Sequence, residues 1–99
     1  MTGSQGNYTI QKQNKDKYYT MTNLEKYNAI YTEVFGATVD QLGDNYSKET
    51  VSEWDSVHQL NIITLLEETF DLFLDPEDIM ACTSYNAGKE ILVKNGIEL

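Results

Sequence analysis

The chain has 99 residues, including seven Lys, no Arg and sixteen Asp or Glu, and its net charge is −9 at pH 7. A domain of this size buries only a modest fraction of its surface, so no deep substrate pocket is expected, which weighs against an enzyme. The negative charge repels phosphate backbones and anionic lipid headgroups, so it disfavours nucleic acid and membrane surfaces and favours basic patches on partner proteins.

The cysteine content and the hydropathy pattern predict the compartment. Cys82 is the single cysteine and cannot form an intramolecular disulfide, and no apolar run is long enough for a signal peptide or a membrane span. We therefore expect a reducing, cytoplasmic setting. Because no cationic neighbour in sequence would lower its thiol pKa, we interpret Cys82 as a core or boundary residue and not as a nucleophile.

Residues 1–20 differ in composition from the remainder of the chain. They are rich in Gln, Asn, Lys, Gly and Tyr, and they carry a net charge of +2, against −11 for residues 21–99. Such a segment cannot bury enough apolar surface to fold alone. We predict a flexible N-terminal segment, either an engineered leader that precedes a natural start at Met21 or a native tail, followed by one folded domain over 21–99.

The first predicted helix lies between Thr22 and Gly36. Thr22 or Asn23 can serve as its N-cap, and Gly36 is suited to the position just after its end. Its apolar residues recur at three-and-four spacing, which places them on one core-facing side of the helix. They are Leu24, Tyr27, Ile30, Tyr31, Val34 and Phe35.

A connection of about eighteen positions follows, from Ala37 to Trp54, with a turn signal at 43–45. A loop of this length is compatible with a small domain if its apolar residues fold back onto the helices. The residues expected to do so are Val39, Leu42, Tyr46, Val51 and Trp54. The acids of this loop do not match the ligand spacing of a calcium-binding loop in any register, so no metal site is predicted.

The central predicted helix occupies the stretch from Glu53 to Asp71. Asp55 is a good N-cap, which makes Ser56 the first helical residue, at the end where unpaired N–H groups and the positive dipole end favour a phosphate. One apolar stripe is assigned to the core and comprises Ile62, Ile63, Leu66, Phe70 and Phe73. A second stripe comprises Val57, Leu60 and Thr64. Two explanations that can hold together are that the helix is buried against several others, and that Val57 and Leu60 form a docking patch beside Ser56.

Two shorter helices are predicted downstream. Asp75 caps the first with Pro76 at its first position, and Ile79 and Met80 are expected to face the core. The last runs from a cap at Thr83 or Ser84 towards Lys94 and contains Gly88, which indicates either a close helix contact or a weak helix.

Six acids within twelve residues lack a compensating Lys, which favours recognition of basic surfaces. They are Glu67, Glu68, Asp71, Asp75, Glu77 and Asp78.

These segments resemble, in order, those of the acyl and peptidyl carrier proteins. Asp55-Ser56-Val57, followed in the same helix by Leu-Leu-Glu-Glu-x-Phe-Asp, is similar to the modification-site helix of that family, and the flanking stretches 24–35, 75–79 and 83–94 are similar to its other helices. The resemblance covers about 21–97. Its departures are Val57 where the family most often has Leu, and His58 and Asn61 where carriers of fatty-acid synthesis tend to be acidic.

The resemblance implies an all-α fold, a small four-helix bundle of acyl-carrier-protein type with a long loop between helices 1 and 2. It implies that Ser56 carries a covalent 4'-phosphopantetheine arm derived from coenzyme A, with Asp55 assisting its attachment. It implies a non-enzymatic carrier of acyl or aminoacyl groups whose partners are a phosphopantetheinyl transferase, a loading ligase and downstream biosynthetic enzymes. The expected partner-binding residues are Val57, Leu60, Glu67 and Glu68.

Two other functions are considered beside the carrier function. A hydrolase using Asp55, Ser56 and His58 is disfavoured, because residues one and two apart on a helix do not face each other as a triad requires. An unmodified acidic helical module that only binds other proteins fits the packing pattern equally well. A monomer is expected, since no surplus apolar face remains apart from the one beside Ser56.

Overall fold

A computed structural model describes residues 21–99, so the prediction for 1–20 lies outside the described residues. It contains four α helices: α1 (Asn23–Phe35), α2 (Ser56–Phe70), α3 (Pro76–Ala81) and α4 (Tyr85–Lys94). A 3₁₀ helix (Val39–Gln41) lies in the connection between α1 and α2. The described part of the chain has no β-strand and is all-α, as the sequence predicts.

Helix α1 begins and ends with the signals that the sequence contains. The Thr22 hydroxyl accepts a hydrogen bond from the Glu25 N–H at 3.1 Å, and the Glu25 carboxylate accepts one from the Thr22 N–H at 2.8 Å. This reciprocal capping satisfies two N–H groups that the helix itself leaves free. Gly36 takes φ +70°, the left-handed conformation that ends a helix at low cost only for glycine.

The core forms where α1 and α2 pack together and α4 closes over them. Tyr27 and Tyr31 are fully buried, and burial raises the pKa of both phenols. The Tyr27 hydroxyl donates to the Tyr85 carbonyl oxygen at 2.6 Å and lies 2.9 Å from the Tyr31 hydroxyl, so their polar ends are satisfied inside the core. The other buried members are Ile30, Trp54, Ile62, Ile63, Leu66, Leu74, Cys82, Tyr85, Ile91 and Leu92.

Gly88 allows α4 to approach α1 closely. A Cβ at this position would clash with the Tyr27 hydroxyl oxygen and would lie 3.2 Å from that of Tyr31. Of the two explanations that the sequence left open for Gly88, close helix contact is therefore correct. The roughly 1 kcal/mol of helix propensity that glycine costs relative to alanine is offset by this approach.

The long connection is held to the bundle through both its side chains and its backbone. Trp54 is buried, and Leu42, Tyr46 and Val51 pack against the core as predicted. The Tyr85 N–H donates to the Tyr46 carbonyl oxygen at 2.9 Å, which ties the loop to the start of α4. Val39 is mostly exposed, so its predicted burial is wrong: it opens the short 3₁₀ turn, whose three residues have no buried member.

Three further residues assigned to the core by sequence are instead at the surface. Leu24 is exposed, because it lies in the first turn of α1, one turn before the buried Tyr27. Phe73 is 96% exposed, because α2 ends at Phe70 and Asp71 adopts φ +54°, after which Leu74 turns inward and Phe73 outward. Met80 is 79% exposed, because it lies one position, about 100° of helical rotation, beyond the core-packed Ile79.

The prediction of six acids without a compensating Lys is wrong for Asp78. Its side chain is buried, and it accepts hydrogen bonds from Lys94 Nζ at 2.6 Å and from Asn95 Nδ2 at 3.3 Å. The bond from Lys94 holds the pKa of the Asp78 carboxyl below its ordinary value and raises the pKa of Lys94. Asp78 therefore joins α3 to the end of α4 and does not belong to an acidic surface.

Candidate functional site

Ser56 lies at the N-terminus of α2, where the sequence predicts it. Asp55 is the N-cap, with φ −104° and ψ −170°, and its Oδ1 accepts the His58 backbone N–H at 2.9 Å. Ser56 is exposed, and its hydroxyl makes no hydrogen bond with any other residue of 21–99. The hydroxyl is thus accessible beside helix N–H groups and the positive dipole end, which favour a negatively charged substituent.

The Asp55 carboxylate has a second hydrogen-bond partner in the same turn. The Nδ1 atom of His58 lies 2.7 Å from Asp55 Oδ1, the oxygen that already accepts the backbone N–H. These hydrogen bonds, first the one from the backbone and then the one from the ring, lower the pKa of Asp55. Asp55 is therefore a carboxylate at neutral pH.

The His58 ring is held from the other side by α1. It stacks on the Phe35 ring with a centroid distance of 5.4 Å and an angle of 9° between the planes. Phe35 is the last residue of α1, so this contact joins the end of α1 to the first turn of α2. The apolar periodicity of α1 predicts only a core position for Phe35 and does not indicate this pairing. The spacing of Asp55 and His58, three residues apart, is the signal that side chains meet at this helix start.

The arrangement of Asp55, Ser56 and His58 is not that of a hydrolase triad. Asp55 and His58 are paired, whereas no hydrogen bond joins His58 to Ser56. The nucleophile and the base are therefore not in contact, as their positions two apart on a helix predict.

The second apolar stripe of α2 is exposed. Val57 is 64% exposed and Leu60 is 62% exposed, and Thr64 shares their solvent-facing side. Burial against further helices is therefore wrong for this stripe. Two exposed aliphatic side chains within about one turn of Ser56 form a surface that a partner protein can cover.

The two acids predicted to bind partners have different environments. Glu68 is exposed near the end of α2. Glu67 is partly buried, and its Oε2 accepts the Leu74 N–H at 3.0 Å, so this side chain holds the segment that follows α2. Glu68 is available to a partner through its whole carboxylate, whereas one oxygen of Glu67 is engaged inside the protein.

Gln59 brings α3 beside the first turns of α2. Its Nε2 donates to the Cys82 carbonyl oxygen at 2.7 Å and to that of Ile79 at 3.2 Å, while its Oε1 accepts the Trp54 indole N–H at 2.6 Å. The exposed Met80 lies between Ile79 and Cys82, the two residues that Gln59 contacts. Sequence reasoning missed Gln59, although its position on the same side of α2 as the buried Ile63 is a signal of a partly buried polar residue.

Neither a nucleophilic cysteine nor a metal cluster is found in the described part of the chain. Cys82 is fully buried, and burial raises the pKa of its thiol to about 11. Within residues 21–99, no three His, Cys, Asp or Glu side chains are arranged to hold a metal ion. No helix of this part is long and apolar enough to cross a membrane.

Comparison of the chain with models of protein families, with curated proteins and with solved structures finds no match. Function is therefore inferred from the residues of this chain and their geometry.

Proposed function

We propose that the protein is an acyl or aminoacyl carrier, with a bundle of acyl-carrier-protein type and a 4'-phosphopantetheine arm on Ser56. The observation that supports this most directly is the Ser56 hydroxyl, which is exposed and unbonded within residues 21–99 at the first position of a 15-residue helix. The four described helices and the long connection between α1 and α2 agree with the expected architecture.

The residues at the start of α2 fit a phosphodiester. Asp55 already caps the His58 N–H, whereas the N–H groups of Ser56 and Val57 have no partner in the helix. Together with the helix dipole, such N–H groups stabilise an anion by about 0.3–1 kcal/mol at an exposed site. The attached arm would supply a thiol that holds its cargo as a thioester. The chain's own residues anchor the arm at Ser56, leave it in solvent and present a docking surface beside it.

The attachment reaction uses Ser56 as the nucleophile. Its Oγ forms a bond to the pantetheine-side phosphorus of coenzyme A, the pyrophosphate P–O bond breaks, and 3',5'-ADP leaves. The hydroxyl proton passes to a base of the transferase, since the lowered pKa of Asp55 makes that carboxylate a weak base. Asp55 contributes the helix cap and a negative charge next to the nucleophile.

The proposed partner surface consists of the predicted residues Val57, Leu60, Glu67 and Glu68, with Met80 added from α3. Val57, Leu60 and Met80 are exposed aliphatic or thioether side chains, and such residues become favourable contacts when a partner excludes water from them. The acidic side chain of Glu68 suits a basic rim on the transferase, the loading ligase and the downstream enzymes. Glu67 contributes through the oxygen that does not hold Leu74.

The proposal is tested by intact-mass measurement after incubation with coenzyme A and a broad-specificity phosphopantetheinyl transferase. We expect one phosphopantetheinyl addition to the wild-type protein, none to Ser56→Ala, and one to Ser52→Ala. Ser52 is the matched control because it is an exposed serine four residues before Ser56, outside any helix. A folded wild-type protein that two different transferases leave unmodified would contradict the proposal.

The unmodified binding module is the function that this negative result would favour. The exposed apolar pair Val57 and Leu60 serves such a module as well as it serves a carrier. The two functions differ in a single respect, which is whether Ser56 accepts the arm.

A further inference from the structure

The orientation of the Asp55 carboxylate is set by two hydrogen bonds to one of its oxygens. Oδ1 accepts both the backbone N–H and the ring Nδ1 of His58, at 2.9 and 2.7 Å. The Val57 backbone N–H lies close enough to the carboxylate to contribute to its lowered pKa, but among residues 21–99 only His58 forms a direct hydrogen bond with the Asp55 side chain. The carboxylate thus has one oxygen occupied by the protein and one left for an outside donor.

The ring that makes the second bond cannot turn freely. His58 lies flat against Phe35, with 9° between the ring planes, and its side chain is 31% exposed. Because a carboxylate only accepts hydrogen bonds, Nδ1 must carry the proton of the 2.7 Å contact. The stacking and the hydrogen bond together fix both the plane of the imidazole and the direction of its donor.

The cap itself does not require this ring. A capping carboxylate needs only the backbone N–H of His58, which every substitution at position 58 other than proline retains. The imidazole therefore contributes something beyond helix formation: its hydrogen bond restricts the rotation of the carboxylate about χ2, and so fixes the direction of the second, chemically equivalent oxygen.

We propose that His58 is a positioning residue for the modification of Ser56, which it serves by holding Asp55 so that Oδ2 faces a cationic or N–H donor group of the incoming transferase. This inference rests on the proposed function. Phe35 supports His58 through the stacking contact, so that the last residue of α1 also serves the modification site.

Three proteins test the inference: the wild type, His58→Phe and His58→Asn. Phenylalanine retains a flat ring on Phe35 but has no donor, whereas the Asn side-chain N–H group can take the place of Nδ1–H. We expect kcat/KM for modification to fall about 3- to 10-fold in His58→Phe, because one hydrogen bond to a fixed group is lost. In His58→Asn we expect kcat/KM to be within about twofold of the wild-type value. The change should appear in the KM for the carrier and not in that for coenzyme A, which binds to the transferase.

A second readout does not depend on the transferase. NMR titration of the Asp55 side-chain carboxyl should give a higher pKa in His58→Phe than in the wild type, with His58→Asn closer to the wild type, since the ring bond contributes to lowering it. Far-UV circular dichroism should show the same helix content in all three proteins.

The outcomes separate the two proposals. A wild-type protein that is modified while His58→Phe reacts equally well, or while His58→Asn is no better than His58→Phe, would overturn the role of His58 and leave the carrier function in place. An Asp55 pKa that is unchanged in His58→Phe would also overturn it. A folded wild-type protein that accepts no arm would overturn the carrier function and with it the role of His58.

Discussion

At the scale of single residues, Asp55 combines a structural task with the proposed recognition task. It caps α2 through the His58 backbone N–H, and its hydrogen bonds to His58 keep it ionised. The same side chain, in the residue directly before the exposed Ser56, has a second carboxylate oxygen that is not engaged by His58. Because this cap directly precedes the proposed attachment residue, helix formation and the presentation of Ser56 depend on one side chain.

The lowered pKa of Asp55 makes part of the stability dependent on pH. Because its folded-state pKa lies below the unfolded value, the contribution is present above the unfolded pKa and is lost as the pH falls through the folded pKa. We expect Asp55→Asn, which can still cap, to be less stable than the wild type at pH 7, with the difference vanishing near pH 2. Thermal unfolding of both proteins from pH 7 to pH 2 measures this. A difference in Tm that stays constant over this range would contradict the assignment.

At the scale of the elements, the helix boundaries could be predicted because their signals are local. Thr22, Asp55, Asp75 and Ser84 all accept a backbone N–H as N-caps, and each is a candidate cap in the sequence. The errors concern residues whose environment is set by tertiary structure. Helical periodicity extends to Phe73 in the sequence, beyond the true end of α2, where the left-handed Asp71 redirects the chain.

The candidate site was predictable in part for the same reason. The positions of Asp55 and Ser56 follow from one helix start, whereas the stacking of Phe35 on His58 joins residues 23 positions apart in different helices. The sequence places Asp78 at the surface because its partner Lys94 comes from another helix. The helical position of Gln59 indicates a partly buried residue, but no sequence pattern identifies its partners, which are the backbone carbonyl groups of 79 and 82.

The contact of α4 with α1 at Gly88 gives a stability prediction. Gly88→Ala should destabilise the protein by about 1–3 kcal/mol, the usual cost of overpacking, although alanine favours a helix. The Tyr27 hydroxyl that a new Cβ would meet is buried and hydrogen-bonded to the Tyr85 carbonyl oxygen, so it cannot move away freely.

Urea unfolding measures this change, with Gly43→Ala as the control. A Cβ at Gly43 would have no heavy atom of the described residues within 4 Å, and the φ of Gly43 is not left-handed, so alanine should be tolerated there. A Gly88→Ala protein as stable as the wild type would contradict the close packing of α4 against α1 at Gly88.

At the scale of the whole molecule, the surface combines a strongly acidic charge with a few exposed apolar side chains. The charge of −9 favours encounter with basic proteins, and the exposed Val57 and Leu60 lie close to Ser56 on α2. Electrostatic attraction of this kind accelerates association and weakens as salt is added. The apolar contacts are not screened by salt in this way.

The partner surface can be tested with a matched pair of substitutions. Leu60→Ala should lower kcat/KM for modification about 5- to 10-fold, because an apolar side chain buried by a partner contributes about 1–2 kcal/mol. Val93→Ala removes a comparably exposed aliphatic side chain from α4 and should change kcat/KM by less than about twofold. Equal effects of the two substitutions would show that the surface beside Ser56 has no special part in docking.

The central claim is that Ser56 is the attachment residue of a carrier protein. The most direct measurement is mass-spectrometric fragmentation of the protein after treatment with coenzyme A and a phosphopantetheinyl transferase. We predict a single phosphopantetheinyl group on the fragments that contain Ser56 and on no others. A folded protein that gains no such group with either of two transferases, or that carries it at another residue, would contradict this claim.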